Sequence, residues 1–260
     1  YGTVNILKGG IMFSDVINTV SPTYAKEIQT KEYGFGLEGI LKIRSEDLYG
    51  ILNGIDYSVY NPLTDPSIFH PIKSYDDKIK NKRKLQEYLN LPQKKGSTII
   101  SFIGRLYEQK GIDLITNTIK YLLLADVQFI ILGTGNEKYE QFFRSLQKEY
   151  TQKVSINITF DTDLAQKIYA GSDIFIMPSR YEPCGLGQMY SMRYGTIPVV
   201  RYTGGLEDTV KEYDPITKLG TGFGFYDYNE SELLLTSLKA VYYHQKMKDD
   251  WKILFENCMR

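Results

Sequence analysis

The feature that most constrains the fold is a regular alternation of short apolar runs and longer helix-like runs between residues 99 and 200. The apolar runs are rich in Ile, Val and Phe, which is typical of buried β-strands. In chain order we predict strand 99–103, helix 111–125, strand 127–132, helix 136–150, strand 154–160, helix 163–170, strand 174–177, helix 186–194 and strand 197–200. Strands that alternate with helices form a parallel sheet covered on both faces. The sequence therefore predicts an α/β fold with a doubly wound, Rossmann-like parallel sheet.

The stretch before this alternation contains a separate strand and helix. Residues 16–20 favour a strand, and Ser21-Pro22 opens a helical pattern, with Pro in the first turn where its missing N–H does no harm. Residues 57–71 hold three prolines among Asn, Asp and Ser, which indicates a loop. We place a domain junction just before that loop, near residues 50–56.

Charge and cysteine content exclude several classes of protein. Lys plus Arg and Asp plus Glu both total 31, so the chain has no long-range field that would attract nucleic acid or a membrane surface. No apolar run approaches the roughly 20 residues that cross a bilayer. The two cysteines lack the spacing of a metal site, so we expect no metal and free thiols in a reducing compartment. We expect a cytoplasmic location, or a plastid in a plant or alga.

Ligands of doubly wound sheets bind where the strands end, so the loops after the strands are the places to search. Arg105 and Lys110 follow the first predicted strand on the turn into a helix, a pattern that suits a diphosphate. An ordinary solvated loop is the alternative.

Three further loops have related features. Gly133 and Gly135 follow the second strand and allow close backbone approach, although a tight turn is an equal explanation. Glu182 precedes a helix that starts beyond Gly185, so a carboxylate can meet sugar hydroxyls while helix N–H groups meet phosphate. Alternatively, Glu182 is a buried helix cap. Thr203 leads into paired glycines before another helix.

Together the four loops describe a site for an anionic, polyhydroxylated ligand such as a nucleotide sugar. A Cys184 nucleophile has little support, because neither His70 nor His244 lies in one of these loops.

The motifs in these loops resemble those of bacterial glycogen synthases and plant starch synthases, which are retaining glucosyltransferases of the GT-B fold. They follow in family order over essentially the whole chain: Ser-Pro-Thr-Tyr-Ala at 21–25, Asn-Gly-Ile-Asp at 53–56, Gly104-Arg105, Gln-Lys-Gly at 109–111, Pro-Ser-Arg-Tyr-Glu-Pro-Cys-Gly-Leu at 178–186, Tyr-Gly-Thr-Ile-Pro-Val-Val-Arg at 194–201 and Thr-Gly-Gly-Leu at 203–206.

This resemblance implies transfer of glucose from ADP-glucose to the non-reducing end of an α-1,4-glucan, with retention of configuration and without a cofactor. It assigns the catalytic roles to Arg105 and Lys110, which neutralise the diphosphate, and to Glu182, which faces the donor glucose. The nucleotide-sugar pocket implied by the resemblance comprises Asn53, Gly133, Gly135, Phe160, Cys184, Gly185, Leu186, Thr203, Gly204, Gly205 and Leu206.

Two departures from the family pattern affect the donor site. Gly187 stands where bacterial relatives usually carry Thr, which removes one hydroxyl contact to phosphate. Phe160 stands where many have Tyr; Phe keeps the stacking face for adenine but selects the base poorly. UDP-glucose therefore remains an alternative donor.

The resemblance also implies that residues 1–53 are the tail of a first, acceptor-side lobe and that residues 54–260 form the C-terminal nucleotide-sugar-binding lobe. On this interpretation the chain is a fragment that is inactive by itself. Two other functions stay open: a nucleotide-sugar- or glucan-binding lobe without catalysis, and another retaining GT-B glycosyltransferase that uses a UDP-sugar.

Overall fold

The structure is a computed structural model that describes residues 4–94 and 96–260. The described strands are β1 (Ile17–Thr19), β2 (Leu48–Gly50), β3 (Thr98–Ile103), β4 (Val127–Leu132), β5 (Val154–Asn157), β6 (Ile174–Met177), β7 (Ile197–Arg201) and β8 (Phe223–Phe225). The helices are α1 (Ile6–Phe13), α2 (Pro22–Glu27), α3 (Glu38–Ile43), α4 (Tyr75–Tyr88), α5 (Ile112–Leu122), α6 (Glu137–Glu149), α7 (Thr162–Gly171), α8 (Gly187–Arg193), α9 (Gly204–Thr209), α10 (Glu230–Lys246) and α11 (Lys248–Met259).

The larger of the two described sheets has six parallel strands in the order β5-β4-β3-β6-β7-β8. If the strands of this sheet are numbered 1 to 6 along the chain, they lie side by side in the order 3-2-1-4-5-6, which is the order of a doubly wound nucleotide-binding fold. The predicted fold class is thereby confirmed. Strand order reverses between β3 and β6, so the ligand crevice of this sheet lies at the carboxyl ends of these two strands.

Burial on both faces explains why these apolar runs form strands. Every residue of β4 and β6 is buried, and so are the first five residues of β3. Helix α5 covers one face with Ile112, Ile115, Ile119 and Leu122, whose spacing of three or four residues keeps them on one side. Each such side chain contributes about 1.5–3 kcal/mol of burial free energy, an upper figure because unfolded chains are not fully extended.

Strand β5 ends three residues earlier than the predicted strand 154–160. It lies at the sheet edge, and its neighbour β4 ends at Leu132, which is paired with Asn157. Beyond this point no strand remains for residues 158–160 to pair with. Phe160 therefore lies in the loop after β5, with 89% of its surface exposed.

Residues 4–50 carry a small sheet of their own, in which β1 and β2 pair in parallel. Ala25, Ile40, Leu41 and Leu48 form a separate apolar cluster beneath it. The proposed boundary between residues 53 and 54 stays a prediction, and residues 1–3 lie outside the described residues.

Helices α2 and α9 cap each other across that boundary. Asp208 in α9 accepts hydrogen bonds from the Ser21 hydroxyl (2.6 Å) and from the Thr23 hydroxyl (2.7 Å) and N–H (3.0 Å) at the start of α2. In return Glu27, the last residue of α2, accepts from the Thr203 hydroxyl (2.9 Å) and the Gly204 N–H (3.0 Å) at the start of α9. The two helices therefore run in opposite directions along their contact, each satisfying the free N–H groups of the other.

A buried polar network ties together the amino ends of β3 and β6. Asp173 Oδ2 accepts from Lys82 Nζ (2.6 Å) and from the Ile99 N–H (2.7 Å), and Oδ1 lies 3.2 Å from His244 Nε2. The other ring nitrogen of His244 lies 2.7 Å from the Thr98 hydroxyl. Burial lowers the pKa of His244 despite the nearby Asp173, so at pH 7 the ring is neutral and Nε2–H donates to Asp173.

Candidate functional site

The centre of the site is an ion pair between two residues that are 72 positions apart. Lys110 Nζ lies 2.6 Å from Glu182 Oε2, and the Ser179 hydroxyl donates to the same oxygen at 3.0 Å. Glu182 is buried, whereas Lys110 is partly exposed. The sequence-predicted cation and carboxylate therefore meet at the carboxyl ends of β3 and β6, where strand order reverses.

The second oxygen of Glu182 is available to a ligand. Oε1 accepts no hydrogen bond from the described residues, and it keeps some contact with solvent. A carboxylate that is anchored through one oxygen and open at the other is well placed to accept from a ligand hydroxyl. Sequence reasoning missed the anchoring role of Ser179, although that serine lies in the same motif.

The turn that carries Lys110 docks directly on the loop after β6. The carbonyl of Gln109 accepts from the Arg180 N–H at 2.9 Å, and the Gln109 side chain donates to the Tyr181 carbonyl at 2.9 Å. Gly111 has φ +73°, and a Cβ there would lie 2.0 Å from the Pro178 carbonyl oxygen. Only glycine permits this approach, which brings Lys110 beside Glu182.

Gly111→Ala is expected to lower the free energy of unfolding by about 2 kcal/mol or more, because it adds a backbone clash to the cost of a left-handed residue. Gly36→Ala is the matched control: Gly36 has φ +85°, but its Cβ would meet nothing within 4 Å. Urea denaturation of both variants separates the cost of the clash from the cost of a left-handed backbone. An equal loss of unfolding free energy in the two variants would contradict the close approach of Gly111 to Pro178.

Arg105 follows β3 on the same side of the sheet and is exposed. Its guanidinium makes a long contact of 3.4 Å with the Gln109 side chain. This leaves most of its donors for an anionic ligand, in keeping with its predicted role.

Two groups of backbone N–H donors were predicted to bind the ligand, one at residues 184–186 and one at residues 204–206, and they differ in whether the protein already uses them. Cys184, Gly185 and Leu186, at the start of α8, donate no backbone hydrogen bond within the described part of the chain. In contrast, the Gly205 N–H donates to the carbonyls of Glu182 (3.1 Å) and Pro183 (3.2 Å), and the Leu206 N–H donates to the Thr203 carbonyl (3.1 Å). With Gly204 bonded to Glu27, the structure uses the 204–206 group internally and leaves the α8 group for a ligand.

The paired glycines of α9 have a packing role. A Cβ on Gly204 would lie 2.1 Å from the Glu182 carbonyl oxygen, and one on Gly205 would lie 2.0 Å from that of Cys184. These glycines let α9 press against the backbone of the Glu182 loop, which fixes the position of that loop.

Glu27 is a residue at this site that sequence reasoning did not single out. One of its oxygens holds Thr203 and Gly204, and the other, Oε2, is buried without a hydrogen-bond partner among the described residues. Burial raises the pKa of this carboxyl above its ordinary value, although the two hydrogen bonds oppose that effect. Its sequence position, 176 residues before Thr203, gave no signal of this contact.

Gly133 and Gly135 join the loops after β3 and β4. A Cβ on Gly133 would lie 1.8 Å from the Gly104 carbonyl oxygen, and one on Gly135 would lie 2.5 Å from that of Leu106. Their small size therefore serves loop packing beside Arg105. Asn53 lies exposed in the segment after β2, and no contact in the described structure links it to the Lys110–Glu182 pair.

Other site chemistries find little support among the described residues. They contain no group of three or more His, Cys, Asp or Glu side chains arranged to hold a metal ion. Cys184 and Cys258 are both free and buried. Within residues 4–94 and 96–260, no helix combines the length and apolarity needed to cross a membrane.

Comparison with known proteins points to one class of enzyme. Residues 86–253 match the family model of glycosyl transferases group 1, and residues 1–43 match that of the starch synthase catalytic domain. A glycogen synthase of Petrotoga mobilis is 72% identical over 260 residues, which is 100% of this chain and 54% of that relative. A glycogen synthase of Thermotoga maritima is 60% identical over 261 residues, with the same two shares.

A solved structure agrees with these matches. The catalytic domain of starch synthase IV from Arabidopsis thaliana, bound to ADP and acarbose, superposes with a TM-score of 0.92 at 37% identity. The match covers 98% of this chain and 54% of the other. The chain thus spans about half the length of the relatives it matches.

Proposed function

Because this chain belongs to the glycosyl transferases group 1 family, we propose that it is the donor-binding part of a glycogen synthase. The proposed reaction transfers glucose from ADP-glucose to the non-reducing end of an α-1,4-glucan and retains the anomeric configuration. The 72% identity to a glycogen synthase supports this choice within the family. In this proposal residues 1–53 are the tail of the first lobe, which supplies the acceptor side.

The observation that carries the proposal is the anchored carboxylate of Glu182. Lys110 and Ser179 hold Oε2, while Oε1 accepts no hydrogen bond from the described residues. In our proposal Oε1 accepts a hydroxyl of the donor glucose. The negative charge of Glu182 also stabilises the positive charge that develops on the sugar ring as the diphosphate leaves.

Lys110 and Arg105 act on the leaving group in this scheme. The bond between C1 of glucose and the diphosphate oxygen breaks, and its electron pair goes to ADP. The two cations then stabilise the added negative charge, and the N–H groups at the start of α8 add hydrogen bonds. The acceptor hydroxyl attacks C1 from the same face and passes its proton to the departing phosphate, so the products are ADP and an extended glucan.

Two observations support adenine as the base of the donor nucleotide. The starch synthase IV structure holds ADP, and the exposed ring of Phe160 offers a stacking face. Stacking accepts any base, so a UDP-sugar remains the alternative donor. We propose a cytoplasmic location for the enzyme, by analogy with the bacterial relatives.

Calorimetric titration of the 260-residue chain with ADP tests the donor site. We expect a Kd in the high micromolar to millimolar range, since one lobe offers only part of the contacts. Lys110→Ala should weaken binding by roughly tenfold or more, because a hydrogen bond to a charged group is lost.

Lys120→Ala is the matched control for this titration, because Lys120 forms an ion pair of 2.7 Å with the exposed Glu149. It should leave ADP affinity unchanged. A folded chain without ADP binding, or one that binds equally well after Lys110→Ala, would overturn the assignment.

A further inference from the structure

A cavity lies at the opposite end of the large sheet from the proposed donor site. Its volume is about 480 Å3, and its lining includes Gly96 just before β3 and Asp173 just before β6. Strand β3 has six residues, and each residue advances a strand by about 3.3 Å, so this cavity lies roughly 15–20 Å from the Arg105 end. The two sites therefore share strands but no lining residues.

The lining of this cavity is strongly cationic. It contains Lys82, Arg83, Lys94 and Lys248, with Asp173 as its only carboxylate. Since the ring of His244 is neutral at pH 7, the lining carries four positive charges against one negative charge. The whole chain has a net charge of zero, so this excess is a local concentration.

Three of these cations lack an anionic partner. Lys82 is buried and paired with Asp173, but no carboxylate lies within 4.0 Å of Arg83, Lys94 or Lys248 in the described part of the chain. All three are exposed at the cavity. Neighbouring Lys84, on the same helix as Arg83, is in contrast paired with Glu87 at 2.9 Å.

The remaining walls of the cavity combine apolar and polar surface. Tyr75 and Ile79 supply an apolar surface, and Gln93 supplies an exposed amide. A volume of this size is within the usual range for small-molecule sites. A polyanion such as nucleic acid is disfavoured, because the zero net charge provides no extended positive surface.

We propose that this cavity binds a small phosphomonoester, held through its phosphate by Arg83, Lys94 and Lys248. A phosphomonoester carries a charge of about −1.5 to −2 at pH 7, which offsets most of the positive excess of the lining. The forked guanidinium of Arg83 can hold two phosphate oxygens, and the two ammonium groups act as point charges. The buried pair of Lys82 and Asp173 forms the neutral floor.

The test is calorimetric titration of the 260-residue chain with ribose 5-phosphate at physiological salt, with ribose as the neutral comparison. We expect ribose 5-phosphate to bind and ribose to give no measurable heat. Arg83→Ala and Lys248→Ala should each weaken binding about tenfold or more. Lys84→Ala, next to Arg83 on α4 but already paired with Glu87, should leave affinity unchanged.

The donor-site variant Lys110→Ala separates this cavity from the donor site. Its affinity for ribose 5-phosphate should equal that of the wild type, and saturating ADP should not compete. The proposal is overturned if the folded chain binds no ribose 5-phosphate, if Arg83→Ala and Lys248→Ala leave affinity unchanged, or if Lys110→Ala or ADP abolishes binding.

Discussion

The two-lobed enzyme with Lys110→Ala is expected to transfer glucose about 10²–10³ times more slowly than the unsubstituted enzyme while its fold stays intact. Lys110 lies partly buried beside Glu182. In the proposed reaction it faces the negative charge that develops on the departing diphosphate. Removal of the positive charge of Lys110 raises the activation barrier for glucose transfer more than it weakens binding of the donor in the ground state. The value of kcat should therefore fall by a larger factor than KM rises. Transfer of radiolabelled glucose to glycogen measures the effect.

Glu182→Gln should affect ADP binding and glucose transfer in opposite ways, which would not be expected if the Lys110–Glu182 pair only stabilised the fold. Without the carboxylate, Lys110 loses its partner at 2.6 Å and is fully available to phosphate. We therefore expect this variant to bind ADP as tightly as the wild type or more tightly, yet to transfer glucose at least as slowly as Lys110→Ala. Unchanged turnover in either variant would refute the roles assigned to this pair.

Asp173→Ala should lower the free energy of unfolding by about 3–5 kcal/mol, the largest stability effect we predict. The substitution leaves the buried ammonium of Lys82 without a counter-charge, and it removes the acceptor for the Ile99 N–H and His244 Nε2. Glu149→Ala, which breaks only the exposed pair with Lys120, should cost less than about 1 kcal/mol. Urea denaturation of both variants gives the comparison, and similar losses would contradict the prediction.

The contribution of Asp173 should also depend on pH. Burial alone would raise the pKa of this carboxyl, but the hydrogen bonds from His244 and Lys82, together with the positive charge of Lys82, outweigh burial and hold the pKa well below its ordinary value. A lowered native pKa contributes stability above the unfolded-state pKa of about 3.9 and loses it as pH falls further. The stability gap between the wild type and Asp173→Asn should therefore narrow below about pH 4.

Local sequence predicted the fold well because each element of the sheet is encoded within a few residues. The bounds predicted for β4 and β6 were correct, since uninterrupted apolar runs define both strands. Helices α10 and α11 and strand β8 were not predicted. Strand β8 has only three residues and is held at the sheet edge by β7, so its identity depends on a partner that local pattern does not reveal.

The candidate site was predicted only in part, because local motifs reveal some of its residues and contacts between distant parts of the chain determine others. Lys110 and Glu182 were found because each lies in a motif directly after a strand, and topology brings those positions together. Glu27 was missed because its role depends on a contact between separate parts of the chain. The motif-based recognition of the glycogen and starch synthase group, and of its Rossmann-like GT-B fold, is confirmed by the family matches and the starch synthase superposition. The individual roles of the site residues remain predictions.

The mutual capping of α2 and α9 has a consequence for recombination between relatives. A crossover near residue 53 looks neutral by sequence, since it falls in an exposed segment. It nevertheless separates Ser21 and Glu27 from Asp208 and Thr203, whose hydrogen bonds span that point. Exchange of one half alone therefore succeeds only between parents that carry the same capping residues, so these positions are expected to be inherited as one unit although they lie far apart in the gene.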